Sequence, residues 1–119
     1  MSKKDFEERL STCLPYVREL YKKYETVFSD DLKSLSWYPG WSHIVEGVLR
    51  ELEKDNKSRK VKTEIVHIKA HFYSLYVHYY SKGNRHADLI EYADLACRCS
   101  CRACGDLIRL GDIYCEQCR

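Results

Sequence analysis

The stretch from Cys101 to Arg119 constrains this chain more than any other. It reads Cys101-Arg-Ala-Cys104-Gly105, a spacer through Tyr114, then Cys115-Glu-Gln-Cys118. Each Cys-x-x-Cys pair predicts a tight turn that aims two thiolates at one point, and two such pairs joined by a short spacer predict one tetrahedral metal site. Cys101, Cys104, Cys115 and Cys118 are therefore the expected ligands of one structural Zn2+ per chain. Iron in the same four-sulfur cage is the chemical alternative, and two disulfides are the covalent one. The N-terminus, Met-Ser-Lys-Lys-Asp-Phe-Glu-Glu, has no apolar signal core, which favours a reducing, cytoplasmic setting and hence metal over disulfides. A closed four-cysteine cage has no open position for a substrate, so the metal is expected to be structural.

A chain of 119 residues bounds the rest to one domain with a small metal-bearing appendage: 1–96 as the body and 97–119 as a zinc ribbon. No apolar run approaches the roughly 20 residues that cross a bilayer. A net charge of +2 is too small to argue for nucleic acid by itself.

Ser2-Lys-Lys-Asp5 has the spacing of a helix start, and Phe6, Leu10, Cys13, Val17, Leu20, Tyr24 and Val27 follow at alternating intervals of four and three. Pro15 lies inside this heptad stripe, which keeps its phase across it; the expectation is one kinked helix or two abutting ones. The stripe is expected to pack on the body's own core, with a homodimer or partner seam as the other use. Trp37-Tyr-Pro-Gly-Trp41 predicts an aromatic-flanked turn clamped to the core. Ser42 suits the N-cap of a second helix whose apolar face is Ile44, Val45, Val48, Leu49 and Leu52; Gly47 on that helix suggests close approach of another element. Residues 53–60 read as a charged loop. Val61–Lys69 and Leu75–Tyr80 read as two antiparallel strands turning near Phe72-Tyr73-Ser74, with Leu75, Val77 and Tyr79 facing one way and Tyr76, His78 and Tyr80 the other. Lys82-Gly83-Asn84 ends the sheet, with Asn84 capping a third helix from Arg85 to about Arg98 whose inward residues are Leu89, Ile90, Ala93 and Cys97. Gly105 and Gly111 mark turns in a small ribbon. The expected fold class is α+β, a helical layer on a small antiparallel hairpin with a C-terminal four-cysteine zinc ribbon.

From Gly40 to Cys118 the chain resembles a family of small bacterial and phage proteins. Their pattern is a Gly-Trp before a helix, an Ile-Lys-x-Lys-Phe-Gly-x-Leu-x-Phe-Tyr strand segment, an Ala-Glu-rich helix, Cys-x-x-Cys-Gly and a final Cys-x-x-Cys. Here these appear as Gly40-Trp41, Ile68-Lys69 through Phe72, Leu75 and Tyr79, then Tyr92-Ala93-Asp94, Cys101-Arg-Ala-Cys104-Gly105 and Cys115-Glu-Gln-Cys118. The chain departs from the pattern in four ways. Tyr73 replaces the turn glycine, His71 replaces the second lysine, the Trp before the last cysteine pair is absent, and the spacer is short. The resemblance implies a zinc-binding accessory protein with no attached activity. It also implies a phage origin, and the expectation built on that is an inhibitor of a host defence system of the anti-CRISPR kind, or of a host replication component, acting in the host cytoplasm.

Other chemistry is weakly signalled. His67 and His71 stand four apart, a metal spacing on a helix but not on the strand expected there; these, with His43, His78 and His86, read as structural or surface histidines. His86-Ala-Asp88 with the first cysteine pair has the order of a zinc deaminase but lacks the Glu and the Pro of that motif. A His-Asn-His nuclease would need a catalytic segment after Cys118, where only Arg119 follows. The expectation is thus no enzyme but a protein that binds another protein. A nucleic-acid-binding accessory or transcription factor is the alternative, resting on Arg98, Arg102, Arg109 and Arg119 and on tyrosines of the sheet. A metal-dependent hydrolase is a more distant third.

Overall fold

A computed structural model of the chain describes residues 3–8, 10–58, 62–81 and 86–119. Helix α1 (Lys3–Glu8) leads through a 3-10 turn (Leu10–Thr12) to α2 (Pro15–Lys23) and a second 3-10 turn (Glu25–Val27). The heptad stripe is thus two abutting helices, and Pro15 does not kink either. It begins α2, where its missing N–H is one the first turn leaves unpaired anyway. The stripe's phase survives because both helices lie on one core: Phe6, Val17, Leu20, Tyr24 and Val27 are buried, and Leu10 and Cys13 pack against them. The expected capping residue Ser2 lies outside the described residues.

The chain then runs beside the sheet as β1 (Ser34–Leu35), turns through Pro39–Trp41, and enters α3 (Ser42–Asn56). Ser42 is not the N-cap. It is the first helical residue, and its Oγ accepts the indole N–H of Trp37 at 2.9 Å, which holds that buried ring. The stretch read as a loop from residue 53 is helical as far as Asn56. Asn56 there receives the backbone N–H of Thr63 on its Oδ1 at 2.9 Å and donates Nδ2 to the Thr63 carbonyl at 2.8 Å, tying the end of α3 to the approach to the sheet. Gly47 is not a close-approach site either: a Cβ built there would meet nothing within 4 Å.

Strands β2 (Glu64–His71) and β3 (Ser74–Tyr80) pair antiparallel with a bulge between Ile65 and His67. Val61, the expected start of β2, lies outside the described residues, as do Lys82, Gly83, Asn84 and Arg85. The sheet is mixed, because β1 pairs parallel with β2, Ser34 beside His67 and Leu35 beside Ile68. The alternation read for β3 holds: Leu75 and Val77 are buried, Tyr79 packs on the core, and Tyr76, His78 and Tyr80 face out. Helix α4 (Ala87–Arg98) covers the inner face of β3, where Asp94 Oδ1 accepts the N–H of Leu75 at 2.9 Å. Ala93 and Cys97 are buried beneath it, with Leu89 and Ile90 half-buried against the same core. The architecture is α+β, helices on one face of a three-stranded sheet, with the four-cysteine segment following α4. Among the described residues, no helix is long and apolar enough to cross a membrane.

Candidate metal centre

Two turns build the centre. In the first, the N–H of Gly105 closes onto the Cys101 carbonyl at 2.9 Å, with Gly105 at φ +83°, a conformation that favours glycine. In the second, the N–H of Cys118 donates to the Cys115 carbonyl at 3.1 Å, in the 3-10 turn Glu116–Cys118. Backbone bonds join the two halves and tie them to the end of α4: Arg102 N–H to the Ile113 carbonyl at 3.1 Å, Cys101 N–H to Asp106 at 2.8 Å and Ile108 N–H to Cys99 at 2.9 Å.

The sulfurs of Cys101, Cys104, Cys115 and Cys118 all lie within 4.8 Å of one another, and those of Cys104 and Cys115 are 3.6 Å apart. Zinc–sulfur bonds of about 2.3 Å imply edges of roughly 3.8 Å between the sulfurs of a tetrahedral cage. Four soft donors at this spacing therefore fit a metal ion such as zinc. They form a single cluster and not two bonded pairs, since a disulfide needs about 2.05 Å and all seven cysteines are free thiols. Among the described residues this is the one group of three or more His, Cys, Asp or Glu side chains close enough to share an ion.

The electrostatics point the same way. Loss of water acts to raise the Cys101 thiol, but backbone N–H groups of Cys104, Cys115 and Ala103 directed at its sulfur outweigh this and bring it down to about 6. The crowd of neighbouring sulfurs from Cys115, Cys104 and Cys101 pushes Cys118 up to about 12. One thiolate is thus prepared by the backbone, while further thiolates beside it need a cation.

Cys97 and Cys99 stay outside the cluster. Cys97 is buried on α4, where burial first and the Asp94 carboxylate second push its thiol up. Cys13 belongs to the N-terminal helices and packs on the core.

The residues that seat this centre on the body were not assigned by spacing. Gly40 donates its N–H to the Arg102 carbonyl at 2.7 Å, and a Cβ on Gly40 would lie 2.0 Å from the Cys101 carbonyl oxygen and 2.7 Å from the Gly105 nitrogen. Backbone meets backbone here, which only glycine allows. Buried Trp41 donates its indole N–H to the Ser100 carbonyl at 3.3 Å, and Tyr38 carries the Arg102 guanidinium 4.3 Å above its ring. The Gly-Trp pair noted in the sequence is therefore the cradle of the first cysteine turn. Its only local signal was a glycine set among aromatics after a proline.

Three of the four arginines behind the nucleic-acid alternative have partners within the chain. Arg98 binds Asp94 at 3.2 Å and Ser74 at 2.7 Å, Arg102 donates to the Phe72 carbonyl besides stacking on Tyr38, and Arg119 pairs with Asp112 at 3.5 Å. Of the histidines, His67 shares a 2.8 Å hydrogen bond with Ser34 Oγ, His86 faces Asp55 at 3.2 Å, and His43 lies against Gly105. His71 and His78 are exposed on the sheet. In comparisons with known proteins, no family model, curated protein or solved structure matches the chain.

Proposed function

We propose that the chain is a non-catalytic binding protein that holds one zinc ion through Cys101, Cys104, Cys115 and Cys118 and docks on another protein. A cage of four thiolates leaves no coordination position for substrate or water, which supports a structural ion. The observation that carries the docking is the spacer between the cysteine pairs. Leu107 and Leu110 are 86 % and 67 % exposed there, and Tyr114 is exposed beside them. Leu107, Ile108 and Tyr114 also line a concavity of about 590 Å³ with Arg109 and Asp112. Apolar side chains held out by a rigid metal-stapled loop, rimmed by polar groups, suit a protein partner. The internal pairing of Arg98, Arg102 and Arg119 weakens the case for nucleic acid at this end. On the resemblance drawn above, the partner would be a host defence or replication protein.

Elemental analysis of the purified protein should find zinc at one ion per chain; iron or no metal would overturn the assignment. For the docking, protein retained from a nuclease-treated host lysate should be lost on Leu107→Ser with Leu110→Ser, at unchanged zinc content. Retention that survives both substitutions, or that disappears with nuclease alone, would defeat the reading.

A further inference from the structure

The helices cover one face of the sheet and leave the other open. On that outward face β2 presents Glu64, His67, Lys69 and His71, and β3 presents Ser74, Tyr76, His78 and Tyr80. No aliphatic side chain stands among these positions. Three successive outward positions of β3 are rings, with Tyr76 and His78 centred 6.4 Å apart and His78 and Tyr80 6.0 Å apart. His67 joins the row from β2 at 6.0 Å from Tyr76. Tyr76 and Tyr80 are 53 % and 48 % exposed, so the row lies open to solvent.

The charge on this face is mainly positive. Lys69 is exposed in β2, the exposed Lys33 just before β1 lies close enough for its charge to act on His67, and Glu64 is the acidic residue, at the Tyr80 end. Partial burial chiefly, then the charges of Lys69, His78 and Lys33, depress the His67 imidazole below its usual range, so that ring is neutral near pH 7 and suited to stacking. A shallow depression of about 440 Å³ lies among His67, Lys69, His71, Ser74 and Tyr76. The histidines do not converge on an ion: the cysteine cage is the one ligand cluster among the described residues, and His67 Nδ1 is engaged by Ser34.

At the hairpin tip, Phe72 is held at φ 54°, where a bulky residue is strained, and is 71 % exposed with its ring 4.5 Å from that of His71. The two-residue hairpin turn at Phe72-Tyr73 requires that positive φ at its first residue, and it leaves the Phe72 ring in water at the end of the row of rings.

We propose that the outward face of the sheet is a stacking platform for single-stranded nucleic acid. Bases lie on Tyr76, His78 and Tyr80, Phe72 extends the platform at the hairpin tip, and Lys33 and Lys69 meet phosphates. Rings accept any base through its face, cations follow the backbone, and a flat sheet reaches only bases already unstacked from a duplex. This platform and the cysteine spacer are separate surfaces, and either assignment can fail alone.

The test is fluorescence anisotropy of the full zinc-loaded chain with a labelled thymidine oligonucleotide of about 16 nucleotides, alone and annealed to its complement. Single strand should bind more tightly than duplex, and affinity should fall as salt rises from about 0.05 to 0.2 M. Tyr76→Ala with Tyr80→Ala should weaken binding about tenfold or more. Lys69→Ala should flatten the salt slope by about one counterion. Phe72→Gly gives a readout that a structural role would not: it relieves the backbone strain and raises Tm, yet weakens binding. Circular dichroism and zinc content should be unchanged in every variant. Equal binding of duplex, indifference to the double tyrosine variant, or a variant that instead loses a protein partner or a homodimer would each overturn the proposal.

Discussion

Leu49 and Leu52 on α3 and Ile65 and Ile68 on β2 are removed from solvent, whereas no residue from 102 to 119 is buried. The first region folds by hiding apolar surface, at about 25 cal/mol per Å². The second has almost nothing to hide: beyond α4, Ser100 and Cys101 are its buried residues, and both lie at the seam with the body. A segment of that kind is ordered by what it binds, here a cage of four sulfurs and a glycine cradle. The two regions thus differ in what maintains them. The body should be sensitive to substitutions in its core and indifferent to chelators, and the cysteine segment the reverse.

On the proposed zinc assignment, removing the metal would be the largest available perturbation, since a structural zinc site contributes on the order of 10 kcal/mol to the folded state of its own segment. A strong chelator, or Cys115→Ser, should abolish amide-exchange protection from Cys101 to Cys118 and leave it at Ile65, Ile68 and Val77. Simultaneous loss in both regions would show that the body depends on the cage, and unchanged protection would show that cradle contacts alone order the segment.

The converse experiment is Leu20→Asp, which places a charge in the buried heptad stripe at a cost of about 4 kcal/mol or more. Circular dichroism should report an unfolded body. A folded, metal-loaded variant that has lost only a dimer in sedimentation would make the stripe an interface.

The seam itself is tested by Gly40→Ala. The added methyl would sit 2.0 Å from the Cys101 carbonyl, and the clash should cost about 3 kcal/mol. Chemical denaturation should then show two transitions where the wild type shows one, with the cysteine segment released first. A single unshifted transition would mean that the cradle does not couple the regions.

Gly47→Ala should do the opposite on a smaller scale. The site has room for a methyl, and alanine favours the helix, so the body should gain about 1 kcal/mol, read as a rise in its denaturation midpoint with chelator sensitivity unchanged. Least of all should change when Cys13, Cys97 and Cys99 are all replaced by alanine: metal content stays the same, and a loss would mean the cage is wrongly assigned.

Much of this was legible because it is periodic or local. Phe6 to Val27 repeat at heptad spacing and do share one core, although Pro15 divides the helix that carries them. Leu75 and Val77 alternate with Tyr76 and His78 as a half-covered strand must. The Cys-x-x-Cys spacing foretold two tight turns and their shared point. What escaped depended on partners elsewhere. A two-residue strand such as β1 has no periodicity of its own, and it exists because Ser34 and Leu35 pair with His67 and Ile68. Ser42 has the chemistry of an N-cap, but the Trp37 indole reaches its hydroxyl.

By itself, then, the sequence determined the elements whose information lies within a few turns of chain: the apolar stripe, the outward and inward sides of β3, and the four thiols paired for one ion. The tertiary structure alone decided where the cysteine turn sits. Trp41 and Ser100 are 59 positions apart, and their contact, like that of Gly40 with Cys101 and Gly105, leaves no mark on the spacing of either segment. Periodicity reports which face of an element turns inward, whereas a backbone-to-backbone approach is fixed only when two finished elements meet and the missing Cβ lets them close.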